Sequence, residues 1–207
     1  MFLFGVFFHN PTGGSMQQSL SPIFLRGRKV NLRPVLKGDL ERCMKWVNDP
    51  ELRDLISGYF PYSMHDEEKW LENVSKDKPN SLTLAIETSA GVHIGQMGIY
   101  RINLRDRVGT TGALIGNREF RDKGFGSESK VLLLNHAFQS MNLRKICSQA
   151  IASNGRSVAY SLKCGYQEEG RLKNHVYRQG QYLDLVQLAV FWENFEPVWN
   201  KYQKEVD

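Results

Sequence analysis

The sequence predicts one domain of the α+β (α/β) class, a mixed central sheet flanked by helices. Two observations carry that reading. Three strand-like segments lie between residues 82 and 115, the first alternating apolar Leu82, Leu84 and Ile86 with Thr83, Ala85 and Glu87, and short turns join them, the mark of an antiparallel meander. The segments that follow interleave helical and strand patterns, so the sheet is mixed and has helices packed on it. A chain of 207 residues suits one such domain, with a core large enough to need neither disulfide nor metal.

Each element has its own signal. Lys29 to Val35 reads as a first strand, with Val30 and Leu32 apolar and Pro34 near its end. Gly38-Asp39 makes a turn and an N-cap, and Leu40, Cys43, Met44 and Val47 form one helix face that ends at Asn48-Asp49-Pro50. Residues 51–62 have no clear period and read as a short helix and a loop. Ser63 and Asp66 form a capping-box pattern, opening a helix expected to turn Trp70, Leu71 and Val74 inward. Leu82, Leu84 and Ile86 begin the meander, which continues through 92–102 and 108–115. Residues 116–126 are loop, and a helix through Phe138 follows, with Val131, Leu134 and Phe138 on one face. Lys145 to Ile151 is a strand, and Asn154 to Lys163 is a helix closed by Gly165. Two strands, near 166–172 and 181–191, complete the expected order.

Cys43, Cys147 and Cys164 are odd in number and at no metal-ligand spacing, so neither a disulfide framework nor a metal site is expected, and a reducing, cytoplasmic setting fits. The net charge of +5 favours anionic partners, of which nucleic acid and a phosphate-rich cofactor are two. Nucleic acid is disfavoured, since outside one loop the only local cluster of cations is Arg101, Arg105 and Arg107. Met1 to Phe8 is apolar but too short to span a bilayer, which takes about 20 residues, so no membrane association is expected. The linker-like Asn10-Pro11-Thr12-Gly13-Gly14-Ser15 follows, and Met16 offers a second start. Residues 1–21 therefore read as an extension or tag, and 22–207 as the single domain.

The chemistry is concentrated in Asn117-Arg118-Glu119-Phe120-Arg121-Asp122-Lys123-Gly124-Phe125-Gly126-Ser127, between a strand and an amphipathic helix. Gly124 and Gly126 let the backbone turn tightly and approach a ligand. The free N–H groups and dipole of the helix start make an anion site, to which Arg118, Arg121 and Lys123 add charge. A phosphate or pyrophosphate is the expected occupant. No G-K-[S/T] follows the glycines, and the third glycine of a dinucleotide fingerprint is missing.

What remains is R-x-x-G-x-G, with Arg121, Gly124 and Gly126, preceded by Leu114-Ile115-Gly116. Further on come Asn154-Gly155-Arg156-Ser157 and Lys163-Cys164-Gly165-Tyr166. Together these resemble the GNAT superfamily of acetyl-CoA-dependent N-acetyltransferases over roughly residues 28–192. The stretches 167–171 and 180–184 look like the group that acetylates ribosomal-protein N-termini, although polyamine, amino-sugar and antibiotic acetyltransferases share them.

The resemblance implies the acyl-CoA N-acyltransferase (GNAT) fold and direct acetyl transfer from acetyl-CoA, as cosubstrate, to a primary amine: a protein N-terminus, an amino sugar or a small amine. It places the pyrophosphate on the backbone of Arg121, Asp122, Lys123, Gly124, Phe125, Gly126 and Ser127. It runs the pantetheine arm along Leu114, Ile115 and Gly116, with Asn154 nearby. It also leaves a homodimer open. Many members carry a tyrosine acid seven residues after the asparagine, where this chain has Ser161, with Tyr160 one place earlier. A step of one residue turns a helical side chain by about 100°, so Tyr160 does not simply inherit the role. The resemblance also implies Ser157, which stands where some ribosomal-protein acetyltransferases carry a serine acid, so Ser157 and Ser161 rank equally and Tyr160 behind them. The family's fourth-strand glutamate is replaced by Thr110-Thr111, leaving His175 as the titratable candidate base and Asp184 to orient the amine. Those two departures motivate the alternative of a CoA-binding module without catalysis.

Overall fold

The computed structural model describes residues 22–56 and 58–205; the N-terminal segment 1–21 lies outside the described residues. Eight strands form one sheet in the order β1-β2-β3-β4-β5-β6-β8-β7. They are β1 (Leu25–Arg26), β2 (Val30–Pro34), β3 (Leu82–Thr88), β4 (His93–Asn103), β5 (Val108–Ile115), β6 (Lys145–Ile151), β7 (Gln167–Arg178) and β8 (Gln181–Phe191). The helices are α1 (Leu40–Asn48), α2 (Pro50–Arg53), α3 (Met64–Lys76), α4 (Phe125–Gln139), α5 (Gly155–Lys163) and α6 (Trp192–Lys204). The meander is as expected: β3, β4 and β5 pair antiparallel. Among the described residues the one parallel pairing is β5 with β6, reached through α4.

That parallel pairing is incomplete. It runs only from Val108 opposite Lys145 to Thr111 opposite Ser148. β5 then continues to Ile115 and β6 to Ile151 without each other. The two strands splay into a wedge at the middle of the sheet.

The helices divide between the two faces. A Cβ on Gly116 would run into the indole of Trp46 in α1, whereas the side chain of its neighbour Ile115 lies against Gly126 of α4. Successive strand residues point to opposite faces, so α1 covers one face and α4 the other. α5 and α6 pack on the α4 side, and α3 packs on α1. The core on the α4 side joins Leu133, Leu134, Ile99 and Ile146 to Phe195 of α6. Under α1, the Arg33 guanidinium bridges Asp39 (2.6 Å) and Glu87 (2.6 Å) out of solvent.

The sequence reading needs two additions and one change. It missed the short β1 and the final helix α6. The apolar stripe of α6, Trp192, Phe195, Trp199 and Tyr202, has helical spacing but is interrupted by Pro197. The Ser63–Asp66 capping box is present, but the buried residue of α3 is Glu67, while Trp70, Leu71 and Val74 are only half-buried.

Candidate functional site

The wedge supplies backbone groups that no strand satisfies. The N–H of Gly116 donates to the Ile94 carbonyl of β4 (3.0 Å), so the peptide groups of residues 116, 114 and 112 face β4. By alternation those of Ala113 and Ile115 face the other way, into the wedge. From the far side, the N–H of Ala152 donates to the Asp184 carbonyl of β8 (2.9 Å), which turns the peptide groups of Gln149 and Ile151 toward β5. Of the three expected pantetheine residues, then, Ile115 turns its N–H to the wedge. The N–H groups of Gly116 and Leu114 point into the sheet, and Gly116 is covered by Trp46.

The glycine loop lies at the open end of the wedge. Gly124 is the N-cap of α4 in the left-handed conformation, with φ at +86°, and a Cβ added there would meet nothing within 4 Å. The first helical-type bond is Glu128 N–H to the Gly124 carbonyl (3.0 Å), which leaves the N–H groups of Phe125, Gly126 and Ser127 without an intrahelical acceptor. The loop cations behave differently from expectation. Arg121 donates to the carbonyls of Ile115 (3.0 Å) and Gly116 (3.0 Å), and its N–H donates to Arg118 (3.2 Å). Arg118 pairs with Asp49 and Glu51. Arg121 is therefore a brace that seals the end of β5, and the positive character of the loop comes from N–H groups and Lys123. Exposed Asp122 pairs with Arg156 (3.2 Å), which ties the loop to the first turn of α5.

On α5, Asn154 caps the helix by accepting the Ser157 N–H (3.1 Å), and Ser157 is half-buried. Ser161 is sealed at 1% exposure, and its hydroxyl oxygen accepts from Lys130 Nζ of α4 (3.4 Å). Lys130 is equally buried, its ammonium 4.1 Å from the ring centre of Tyr160 and 4.7 Å from that of Tyr166. Burial pulls this amine down to about 8. The Tyr160 hydroxyl is buried with no hydrogen-bond partner, and burial raises its pKa well above the phenol range. The Tyr166 hydroxyl meets Thr111 Oγ1 (2.7 Å) at the last paired residue of β5, the apex of the wedge.

Asp184 and His175 lie on the β7–β8 hairpin. Asp184 accepts the Asn174 N–H (3.0 Å) and Lys173 Nζ (3.0 Å), so its carboxylate pins a bulge in β7. His175 is exposed in that bulge on the edge strand, with β8 and β6 between it and the wedge. Sequence reasoning overlooked Lys130 and Glu67. Glu67 has no hydrogen-bond donor or cation partner among the described residues; burial raises its carboxyl, and its charge helps raise the Cys43 thiol beside it. The β7–β8 hairpin reaches back to the segment after α2, where Arg178 donates to the carbonyls of Asp54 (3.0 Å) and Ile56 (3.1 Å) and to the Tyr59 hydroxyl (2.9 Å).

Wedge and loop fit a long ligand with a phosphate end. Unpaired strand edges suit an amide-bearing arm, and free N–H groups at a helix start suit a pyrophosphate. Comparison with known proteins agrees. The family model described as "Acetyltransferase (GNAT) domain" matches residues 29–167. A SPbeta prophage-derived uncharacterized N-acetyltransferase of Bacillus subtilis is 25% identical over 171 residues, covering 82% of this chain and 94% of the relative. Spermidine N(1)-acetyltransferase of Vibrio cholerae is 25% identical over 169 residues, covering 81% and 95%. A crystal structure of spermidine N-acetyltransferase from Vibrio cholerae, in complex with CoA and spermine, superposes with a TM-score of 0.75 at 23% identity, covering 81% of this chain and 98% of that one. Among the described residues no helix is long and apolar enough to cross a membrane, and no cluster of side chains could hold a metal ion.

Proposed function

Since the chain belongs to the acetyltransferase (GNAT) domain family and is an acetyl-CoA-dependent N-acetyltransferase, we propose that the wedge and the glycine loop are where it works, and that the acceptor is a primary amine reaching the wedge from the α1–α3 face. Acetyl-CoA supplies an activated acetyl group. The observation that carries the reading is the coincidence of unpaired β5 and β6 edges with free N–H groups at the start of α4.

The N–H groups of Lys123, Gly124, Phe125, Gly126 and Ser127 would receive the pyrophosphate, at a helix start whose dipole favours negative charge. Arg121 fixes the end of β5 so that loop and wedge keep one geometry. The Ala113 peptide group and the Ile115 N–H would hold the arm as a partner strand does, the Ile115 carbonyl being taken by Arg121. The inward N–H of Ala113 or Ile115 would polarise the thioester carbonyl and stabilise its oxyanion. Glu67 offers a carboxylate on the α1–α3 side for the incoming amine.

Two acceptor classes are suggested by the relatives: a polyamine, from the spermidine N(1)-acetyltransferase, and a protein N-terminus, from a putative ribosomal N-acetyltransferase of Bacillus subtilis that is 26% identical over 102 residues. Calorimetry with acetyl-CoA on the wild type and Gly124→Trp, followed by thiol release with spermidine, an amino sugar and an N-terminal peptide, tests the reading. Wild-type binding lost in Gly124→Trp, with turnover on one acceptor, supports it. Binding with no turnover on any amine would mean a CoA-binding module, and no wild-type binding would reject the site.

A further inference from the structure

A lysine with no carboxylate beside it is an expensive thing to bury, and this fold buries one completely. Lys130 lies on α4 in a box made by α5 and the residues after it: the ring of Tyr160, the hydroxyl of Ser161, the thiol of Cys164 and the ring of Tyr166. The one acid near it on its own helix, Glu128, is committed elsewhere, to the N–H groups of Arg28 (2.5 Å) and Lys29 (3.1 Å) and to the Tyr202 hydroxyl of α6 (2.9 Å). Lys130 has three N–H donors and one protein acceptor, Ser161, at a long 3.4 Å. The neighbouring Tyr160 hydroxyl has none. Aromatic faces stabilise a cation here without neutralising it.

The position of this charge relative to the wedge gives it a use. Tyr166, which walls the box, hydrogen-bonds Thr111 at the wedge apex, and Tyr160 flanks Gly126 beside Ile115. The box therefore lies against the inner end of the wedge on the α4 side, opposite the α1–α3 face. We propose that Lys130 is the cation whose charge, acting through the wall made by Tyr160 and Tyr166, stabilises the departing CoA thiolate.

The inference rests on the wedge being the acetyl-CoA site. In the step itself, the amine nitrogen bonds to the acetyl carbon and sheds a proton to solvent. The carbon–sulfur bond breaks and its electron pair stays on sulfur. The sulfur then takes a proton from solvent. Ser161 and Lys130 are both sealed from the wedge, so Lys130 keeps its proton and acts only through its charge, with Ser161 Oγ accepting from it (3.4 Å) and holding it in place.

The test uses the full chain and Lys130→Met, with CoA itself as the probe. Bound CoA is titrated by thiolate absorbance, its affinity is measured by calorimetry, and acetyl transfer is followed against pH. CoA affinity should stay within threefold. The thiol pKa of bound CoA should rise by about one unit or more once the cation is gone. Turnover should fall about 100-fold, and the alkaline fall in wild-type kcat near pH 8 should disappear. If Lys130→Met binds CoA with an unchanged thiol pKa and an unchanged pH profile, the inference is wrong and the site reading survives. If the wild type binds no CoA, both fall together.

Discussion

The hydroxyl of Tyr166 lies 2.7 Å from that of Thr111, at the point where β5 and β6 part. Thr111 also donates to the Cys147 carbonyl of β6 (3.2 Å), so Tyr166 is the donor to Thr111 and the chain of bonds closes the apex. Tyr166→Phe should cost about 1 kcal/mol of stability, the net worth of one buried hydrogen bond. Because the bond sits at the apex, acetyl-CoA should also bind several-fold more weakly. Urea unfolding and calorimetry on one preparation check both.

The two loop glycines should separate strain from contact. Gly124 has φ at +86°, so Gly124→Ala should destabilise by about 1 kcal/mol whatever the free space. Gly126 carries no such φ, and an added Cβ would meet Ile115 at 3.6 Å and Tyr160 at 3.9 Å, ordinary contacts. Gly126→Ala should leave the melting temperature within about 2 °C. Acetyl-CoA affinity should drop in both variants; a Gly126→Ala protein that melts much earlier would contradict the packing described.

Arg121 is spent on the carbonyls of Ile115 and Gly116. Arg121→Met should therefore weaken acetyl-CoA binding about tenfold by loosening the loop. The salt dependence of that binding should change little, since a brace contributes no charge contact with phosphate. A clear loss of salt dependence in the variant would show that Arg121 contacts the ligand after all.

Asp39 is 2% exposed. Burial works to raise its pKa, but hydrogen bonds from Arg33, His93 and the Leu36 N–H prevail and hold it below the carboxylate range. A depressed carboxyl contributes stability above its unfolded pKa, about 3.9, and loses it as pH falls through the folded value. Asp39→Asn should cost about 3–5 kcal/mol at neutral pH by leaving Arg33 under-compensated. It should also flatten the acid limb of the stability profile below about pH 4.

For Lys130 the sign is reversed. Its folded pKa is lowered from 10.5 to about 8, so the unfolded chain binds more protons between those values and stability rises with pH across that window. Lys130→Met should be more stable than wild type at pH 7 by on the order of 3 kcal/mol, an advantage that shrinks toward pH 10.5. A Lys130→Met protein more stable than wild type would fit a lysine that serves chemistry and not packing; a less stable one would point instead to packing against Tyr160 and Tyr166.

Local pattern made most elements legible. The capping box at Ser63, the strand alternation at Leu82 and the Gly124–Gly126 loop are encoded within a few residues. The parallel β5–β6 seam was not, because Thr111 and Ser148 are brought together only by the crossover through α4. Side-chain partners were hidden for the same reason. Nothing near Arg121 in the sequence announces the Ile115 and Gly116 carbonyls it braces, and nothing near Asp184 announces the Asn174 N–H it accepts. Lys130 did leave a trace: it precedes Val131-Leu132-Leu133-Leu134, a run too apolar for any side of that helix to face water.

Only four residue pairs stitch β5 to β6, so the sheet is two panels joined at a short seam. A ligand arm lying between Ala113 and Gln149 would lengthen that seam as an extra thread, and its departure would free the panels to flex about Thr111. The protein should thus be stiffer when loaded, with slower amide exchange at residues 113–115 and 149–151. The amine would then meet a finished cleft only after acetyl-CoA has bound, which makes the order of substrate addition a mechanical property of the sheet.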